Sequence, residues 1–178
     1  QVKKISHKKS SSEKFLSVFD YDNNRNYRFV IQDGKSLKML DSKLNTVKGF
    51  KRNKLNSDIK FPIKHVRILN KDYLLLVSEN NKPLILDRRG NIRIKLPENF
   101  TTSTNHFYEN DGGIITINDL NQLVRIELNG KISSKQLPDQ KNIIHSNKNN
   151  LIVLSNGNIT INNIEYKIPF GNFDDLNI

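Results

Sequence analysis

The chain has 178 residues, a formal net charge of +11, no cysteine and no tryptophan. That length suits one domain with a sizeable core, and the lack of cysteine excludes disulfides and thiolate chemistry. No apolar run approaches the roughly 20 residues a membrane-spanning helix needs, so no transmembrane segment is expected in this chain.

In chain order, residues 1–14, QVKKISHKKSSSEK, form the densest basic cluster and read as a flexible or linking segment. The first residue is Gln1, not Met. The expectation is a processed chain, an excised one, or part of something longer. Residues 15–178 are read as one repeat domain, with units near 15–60, 61–100, 101–140 and 141–178.

The first element, FLSVFDY, runs into FDYDNNRNYRFVI, where Asp20, Asp22, Asn24 and Asn26 place an oxygen at every second position. Calcium takes six to eight oxygens, and such a loop supplies about three or four of them. An EF-hand is excluded, because its sixth position would be Arg25 and its twelfth Ile31. Two readings stay open: a calcium loop, or a polar turn in which Asp20 and Asp22 bond the backbone and pair with Arg25 and Arg28. Calcium is the one cofactor the sequence suggests.

Four segments then align under one another, starting at Tyr27, Tyr73, Gly113 and Asn150, with spacings of 46, 40 and 37 residues. Each opens with a short apolar run such as YRFVI, YLLLV, GIITI or NLIVL. A polar turn follows (QDGKS, SENNK, NDLN, SNGN), then a second run, a second turn and a third run (TVKGF, IRIKL, ISSKQL, YKIPF). One more strand-like stretch precedes each start: FLSVFDY, HVRILN, NHFYEN and NIIHSN. Dipeptides such as DG, NN and NG tolerate positive φ between two strands. The pattern is therefore all-β: four-stranded antiparallel units of about 40 residues, as in a β-propeller blade. An irregular sandwich or barrel is the alternative. Against it, Asp41, Asp87 and Glu127 each lie 14 residues past a start, with Asn45, Asn91 and Lys131 four residues later. Short acidic side chains at the head of a tight turn accept backbone N–H bonds.

The LD-x-x-G-N pattern after paired strands resembles the blades of PQQ-like and WD40-like propellers. The FDYDNNRNYRFVI opening resembles the start of FG-GAP repeats. The run SVFDYDNNRNYRFVIQDGKSLKMLDSKLNTVKGF is similar to the propeller-like C-terminal part of large uncharacterised envelope proteins of Bacteroidetes-type bacteria. That resemblance implies a propeller fold, a cell-envelope setting in the periplasm or outer envelope, and work done by blade loops. The cytoplasm stays open. The docking Trp of PQQ-like blades and the Trp-Asp and Gly-His marks of WD40 repeats are missing, and the FG-GAP-like loop occurs once. Propellers typically have 4 to 8 blades. The unfinished-looking FGNFDDLNI end suggests part of a larger propeller, with a closed four-blade ring as the alternative.

Signals for catalysis are sparse. His7, His65, His106 and His145 lie far apart, without zinc spacing. No nucleophile elbow, P-loop or dinucleotide motif occurs. Glu109 and Asp111 are a weak candidate for a glycosidase pair. Lysine and arginine are spread along the chain, with lesser clusters at KGFKRNK and DRRGNIRIK. The expected function is a non-catalytic protein-interaction or scaffold module of an envelope-associated protein. Its partner would be another protein or an anionic surface polymer. A propeller-type enzyme or quinoprotein-like domain, or a basic nucleic-acid or polyanion binder, is the alternative, with nucleic acid the less favoured partner.

Overall fold

The computed structural model describes residues 14–138, 142–155 and 158–167. The 1–14 segment, apart from Lys14, and FGNFDDLNI lie outside the described residues, as does His7. Fifteen strands and no helix are found among the described residues, and so no helix long and apolar enough to cross a membrane.

The strands form four antiparallel meanders in sequence order. The first comprises β1 (Lys14–Phe19), β2 (Arg28–Asp33) and β3 (Ser36–Leu40). The second comprises β4 (Lys64–Ile68), β5 (Lys71–Val77), β6 (Pro83–Leu86) and β7 (Ile92–Ile94). The third comprises β8 (Tyr108–Asn110), β9 (Gly113–Ile117), β10 (Gln122–Ile126) and β11 (Ile132–Gln136). The fourth comprises β12 (Asn142–Asn147), β13 (Asn150–Ser155), β14 (Asn158–Ile161) and β15 (Ile164–Lys167). Within each sheet every strand pairs with its neighbour in sequence, which keeps the connections inside a sheet short.

Two expected strands differ, and in the last unit the final strand is Ile164–Lys167, so it begins within the expected turn NIE, while the IPF of the expected run YKIPF lies outside the described residues. TVKGF is no strand: it touches the sheet through the single bridge Leu40↔Thr46, and Lys54 adds a bridge to Ser36. Leu44 and Gly49 there have positive φ, which breaks an extended run. The first sheet consequently has three strands where four were expected. NHFYEN yields only the three residues of β8. Ahead of it, Thr104 Oγ1 accepts the His106 N–H and Thr102 Oγ1 bonds the Ile117 carbonyl, so local side-chain bonds displace the ladder.

The sheets stack face to face, each on the next. Successive side chains of a strand point to opposite faces, and β5 uses both. Tyr73, Leu75 and Val77 enter a core with Ile114, Val124 and Ile126 of the third sheet. Leu74 and Leu76 enter a second core with Phe19, Val30 and Met39 of the first. This explains why YLLLV is apolar without alternation: it is covered on both sides. A third core joins the third and fourth sheets through Leu137, Ile144 and Val153.

Candidate functional site: a basic cleft between the first two sheets

The site is built on a buried carboxylate. Asp72 is only 4% exposed, near the start of β5. Arg67 lies directly opposite it on β4, and its Nη1 is 3.1 Å from Asp72 Oδ1. His65 Nε2 is 2.8 Å from the same oxygen. From the turn after β6, Arg88 Nε donates to Oδ2 at 2.7 Å, and its Nη2 contacts that oxygen too. Burial alone would raise the Asp72 carboxyl, but the hydrogen bonds from Arg88 and His65 outweigh it and hold it below the usual carboxylate range.

The network extends to the first sheet. Arg88 Nη2 is 3.1 Å from Asp22 Oδ1, and Arg67 Nη1 is 4.0 Å from it. Arg67 also donates to the Tyr21 carbonyl. The Arg88 guanidinium lies over the Tyr21 ring, 4.9 Å from its centre, a favourable placement for a planar cation. Tyr21 stacks on Phe19, and His65 meets its edge. The Tyr21 hydroxyl is buried with no hydrogen-bond partner among the described residues. Burial first, and the Asp72 charge next, push it well above the ordinary tyrosine range, so it stays a neutral donor.

Above this platform lies a cleft of about 460 Å³. Its lining includes Tyr21, Asp22 and five cations: Arg28, Lys48, Lys51, Arg88 and Arg89. Only Arg88 of the five is ion-paired among the described residues. The clusters KGFKRNK and DRRGNIRIK, apart in sequence, are thus joined in space. The joint is close: Lys51 N–H donates to the Arg89 carbonyl at 2.7 Å. Gly90 has φ +79°, and a Cβ on it would stand 2.7 Å from the Arg52 nitrogen, so this crossing requires glycine.

The structure places the predicted calcium ligands around this cleft. Asp22 and Asn26 line it. Asp20 accepts the backbone N–H of Asn24 at 3.2 Å and of Arg25 at 2.9 Å, one on each oxygen. Asn24 Oδ1 accepts the Asn26 N–H at 2.9 Å. Asn26 Oδ1 accepts from Arg28 Nη1 at 3.0 Å and from Ser42 at 3.2 Å. A cation in the loop would displace these donors. The expected partners of Asp22, Arg25 and Arg28, are replaced by Arg67 and Arg88, which come from the second sheet. Among the described residues no group of three His, Cys, Asp or Glu side chains could hold a metal.

The remaining candidates separate. His65 belongs to the Asp72 network, whereas His106 and His145 both meet Tyr108. Asp111 faces solvent with its carboxylate 3.6 Å from Arg125, and Glu109 takes part through its backbone carbonyl, which accepts from Ser146. The Asp72 network escaped sequence reasoning. Its one signal was an acidic residue at the head of the most apolar strand, which must be paired if buried.

No protein-family model matches the chain, and no curated protein matches it. Among solved structures, selenomethionine-substituted virginiamycin B lyase from Staphylococcus aureus is similar, with a TM-score of 0.54 and 17% identity. The match covers 88% of this chain and 61% of that one, so this chain spans about three fifths of the neighbour's length. The neighbour is a β-propeller, and at this identity the likeness concerns the fold alone. The chain is an all-β protein whose stacked antiparallel sheets are propeller blades, consistent with a partial propeller.

Proposed function

We propose that this chain is a non-catalytic binding module of a cell-envelope-associated protein, and that the cleft between its first two sheets holds a segment of an anionic surface polymer. One observation carries the reading: besides Arg88, which is held by Asp72 and Asp22, four cations with no ion pair among the described residues, Arg28, Lys48, Lys51 and Arg89, line one cleft. Arginine forks suit carboxylate and phosphate geometry. Clustered charge raises the local concentration of an anionic chain and speeds its capture. The envelope setting rests on the sequence resemblance to envelope propellers, and the scaffold role rests on rigid sheets presenting loops.

The test is a binding titration with polygalacturonate and polyphosphate, and with duplex and single-stranded oligonucleotides as competitors. Lys48 and Lys51 are exposed, so Lys48→Gln/Lys51→Gln leaves the fold intact. The double variant is expected to weaken polymer binding about tenfold, or ~1.4 kcal/mol. Binding should also fade as salt screens the cleft. No binding at low salt, or equal binding by the variant, overturns the reading. Tighter binding to oligonucleotides would replace the polymer with nucleic acid. Calcium is tested on the protein without polymer: a higher melting temperature at millimolar calcium supports an ion at Asp20, Asp22, Asn24 and Asn26, and no shift leaves those side chains to the turn.

A further inference from the structure

Two turns at one end of the sheets carry leucine where the fold favours glycine or a polar residue. Leu44 has φ +62° and Leu69 φ +47°, and they are 67% and 73% exposed. Leu44 closes the turn headed by Asp41, and Gly90 and Gly130 stand in its place in the second and third sheets. Leu69 is the first residue of the two-residue turn between Ile68 and Lys71, and Asp111 and Lys148 stand in its place in the third and fourth sheets. A β-carbon is disfavoured in the left-handed region, and leucine has no side-chain oxygen to bond the turn in return. A single exposed leucine is ordinary. Two of them, held at strained positions in exposed tips, point to a use outside the fold.

The two tips lie at the same end. Ser42, in the Leu44 turn, bonds Asn26 of the loop between β1 and β2. Asp22 of that loop pairs with Arg67, two residues before Leu69. Tyr27 ends the loop and is 41% exposed. Exposed cations flank the tips: Arg25 in the loop, Lys43 before Leu44 and Lys71 after the Leu69 turn. None of the three is ion-paired among the described residues. Asp20 and Asp41 are turned onto backbone N–H groups. The leucines, Tyr27 and these three cations all stand outside the lining of the basic cleft.

We propose that this end of the first two sheets docks on an anionic lipid surface through Leu44, Leu69 and Tyr27. The leucines enter the boundary between headgroups and acyl chains, the tyrosine ring sits at headgroup level, and Arg25, Lys43 and Lys71 meet the lipid phosphates. A soluble polyanion would engage the cations and leave the leucines in water.

The test is sedimentation of the chain with vesicles of phosphatidylcholine alone and of an equal mixture with phosphatidylglycerol. Binding is expected to the mixture, to be weak to phosphatidylcholine, and to fall with salt. Leu44→Gly/Leu69→Asn suits the turns better, so its melting temperature should equal or exceed the parent's. Its vesicle binding should fall about tenfold, with polygalacturonate binding unchanged, which separates the tips from the cleft. The chain has no tryptophan, so Leu69→Trp supplies a single reporter. Its emission should shift to the blue on vesicles and be quenched by brominated lipid. Leu120→Trp is the control: Leu120 is 71% exposed at the opposite end, where Asp119 accepts from Asn81 of the turn after β5, and its emission should stay unchanged. No binding to the mixed vesicles at low salt, equal binding by the double variant, a lower melting temperature of that variant, or no quenching of Leu69→Trp overturns the proposal.

Discussion

Asp72 holds three basic side chains on two oxygens, and that crowding sets its energetics. Its folded carboxyl is held low, so ionised Asp72 stabilises the fold above the ordinary aspartate range. That contribution is lost as pH falls through the lowered folded value. Asp72→Asn keeps the shape and removes the charge. It leaves His65, Arg67 and Arg88 around a neutral amide. The arginines are partly exposed and can regain water, so the cost is set near ~2–3 kcal/mol, at the lower end for a broken buried pair. Thermal melts between neutral and acidic pH should show a lower Tm at pH 7 and a shallower acid limb than the parent. Asp41 and Asp87 are also held low, so part of the acid limb remains. An unchanged acid limb would mean that Asp72 is not ionised in the fold. Sequence could not supply this network. Its members sit at positions 22, 65, 67, 72 and 88: strand register within the second sheet joins His65, Arg67 and Asp72, the turn after β6 adds Arg88, and stacking on the first sheet adds Asp22.

At the level of elements, the turn seen in the repeat recurs in three sheets. Asp41, Asp87 and Glu127 each accept a backbone N–H from the third residue on, and each donates to the carbonyl of the fourth. The turn is closed by Leu44, Gly90 and Gly130, all at positive φ. The side chains then diverge. One oxygen of Asp87 accepts the N–H of Arg89 at 2.8 Å and of Asn91 at 2.9 Å, and Asp41 does the same for Lys43 and Asn45. Glu127 is one methylene longer, and Asn129 Oδ1 takes the Lys131 N–H in its place. Asp87→Ala is therefore expected to cost about 1–2 kcal/mol by the loss of its turn bonds, and Glu127→Ala within about 0.5 kcal/mol. Denaturant unfolding of the two variants measures the difference, and equal losses would refute the side-chain account. The strand runs were legible because burial on one or both faces writes a period of two or a solid apolar stretch into the sequence. TVKGF misled because its apolar residues, Val47 and Phe50, pack onto the core from an irregular segment, and periodicity alone does not separate that from a strand.

Among the described residues of the whole molecule, the two middle sheets carry a neighbouring sheet on both faces and the two outer sheets on one. In the fourth sheet, Leu151 and Val153 face the third. Alternation along β13 puts Ile152 and the buried Leu154 on the opposite face, and register places Ile159, Ile161, Ile164 and Tyr166 beside them, with exposure rising toward β15. Ile164 is 60% and Tyr166 50% exposed. On the first sheet, Leu16 and Val18 face outward, at 59% and 51% exposure. A contiguous apolar face of this kind marks a contact surface, and in a propeller a blade face is covered by the next blade. The repeat was legible in sequence, but the sidedness of its end sheets was not, because alternation looks the same whether or not a neighbour is present. If these faces receive further blades, this 178-residue chain should associate through them when studied by itself. Sedimentation is expected to show concentration-dependent self-association of the parent chain. Ile164→Lys/Tyr166→Lys should reduce it, because two charges on the face would have to be desolvated in the contact. Both side chains are exposed, so the substitutions should shift the melting temperature little. A parent chain that stays monomeric at high concentration would refute the idea that the fourth sheet is a blade awaiting its neighbour.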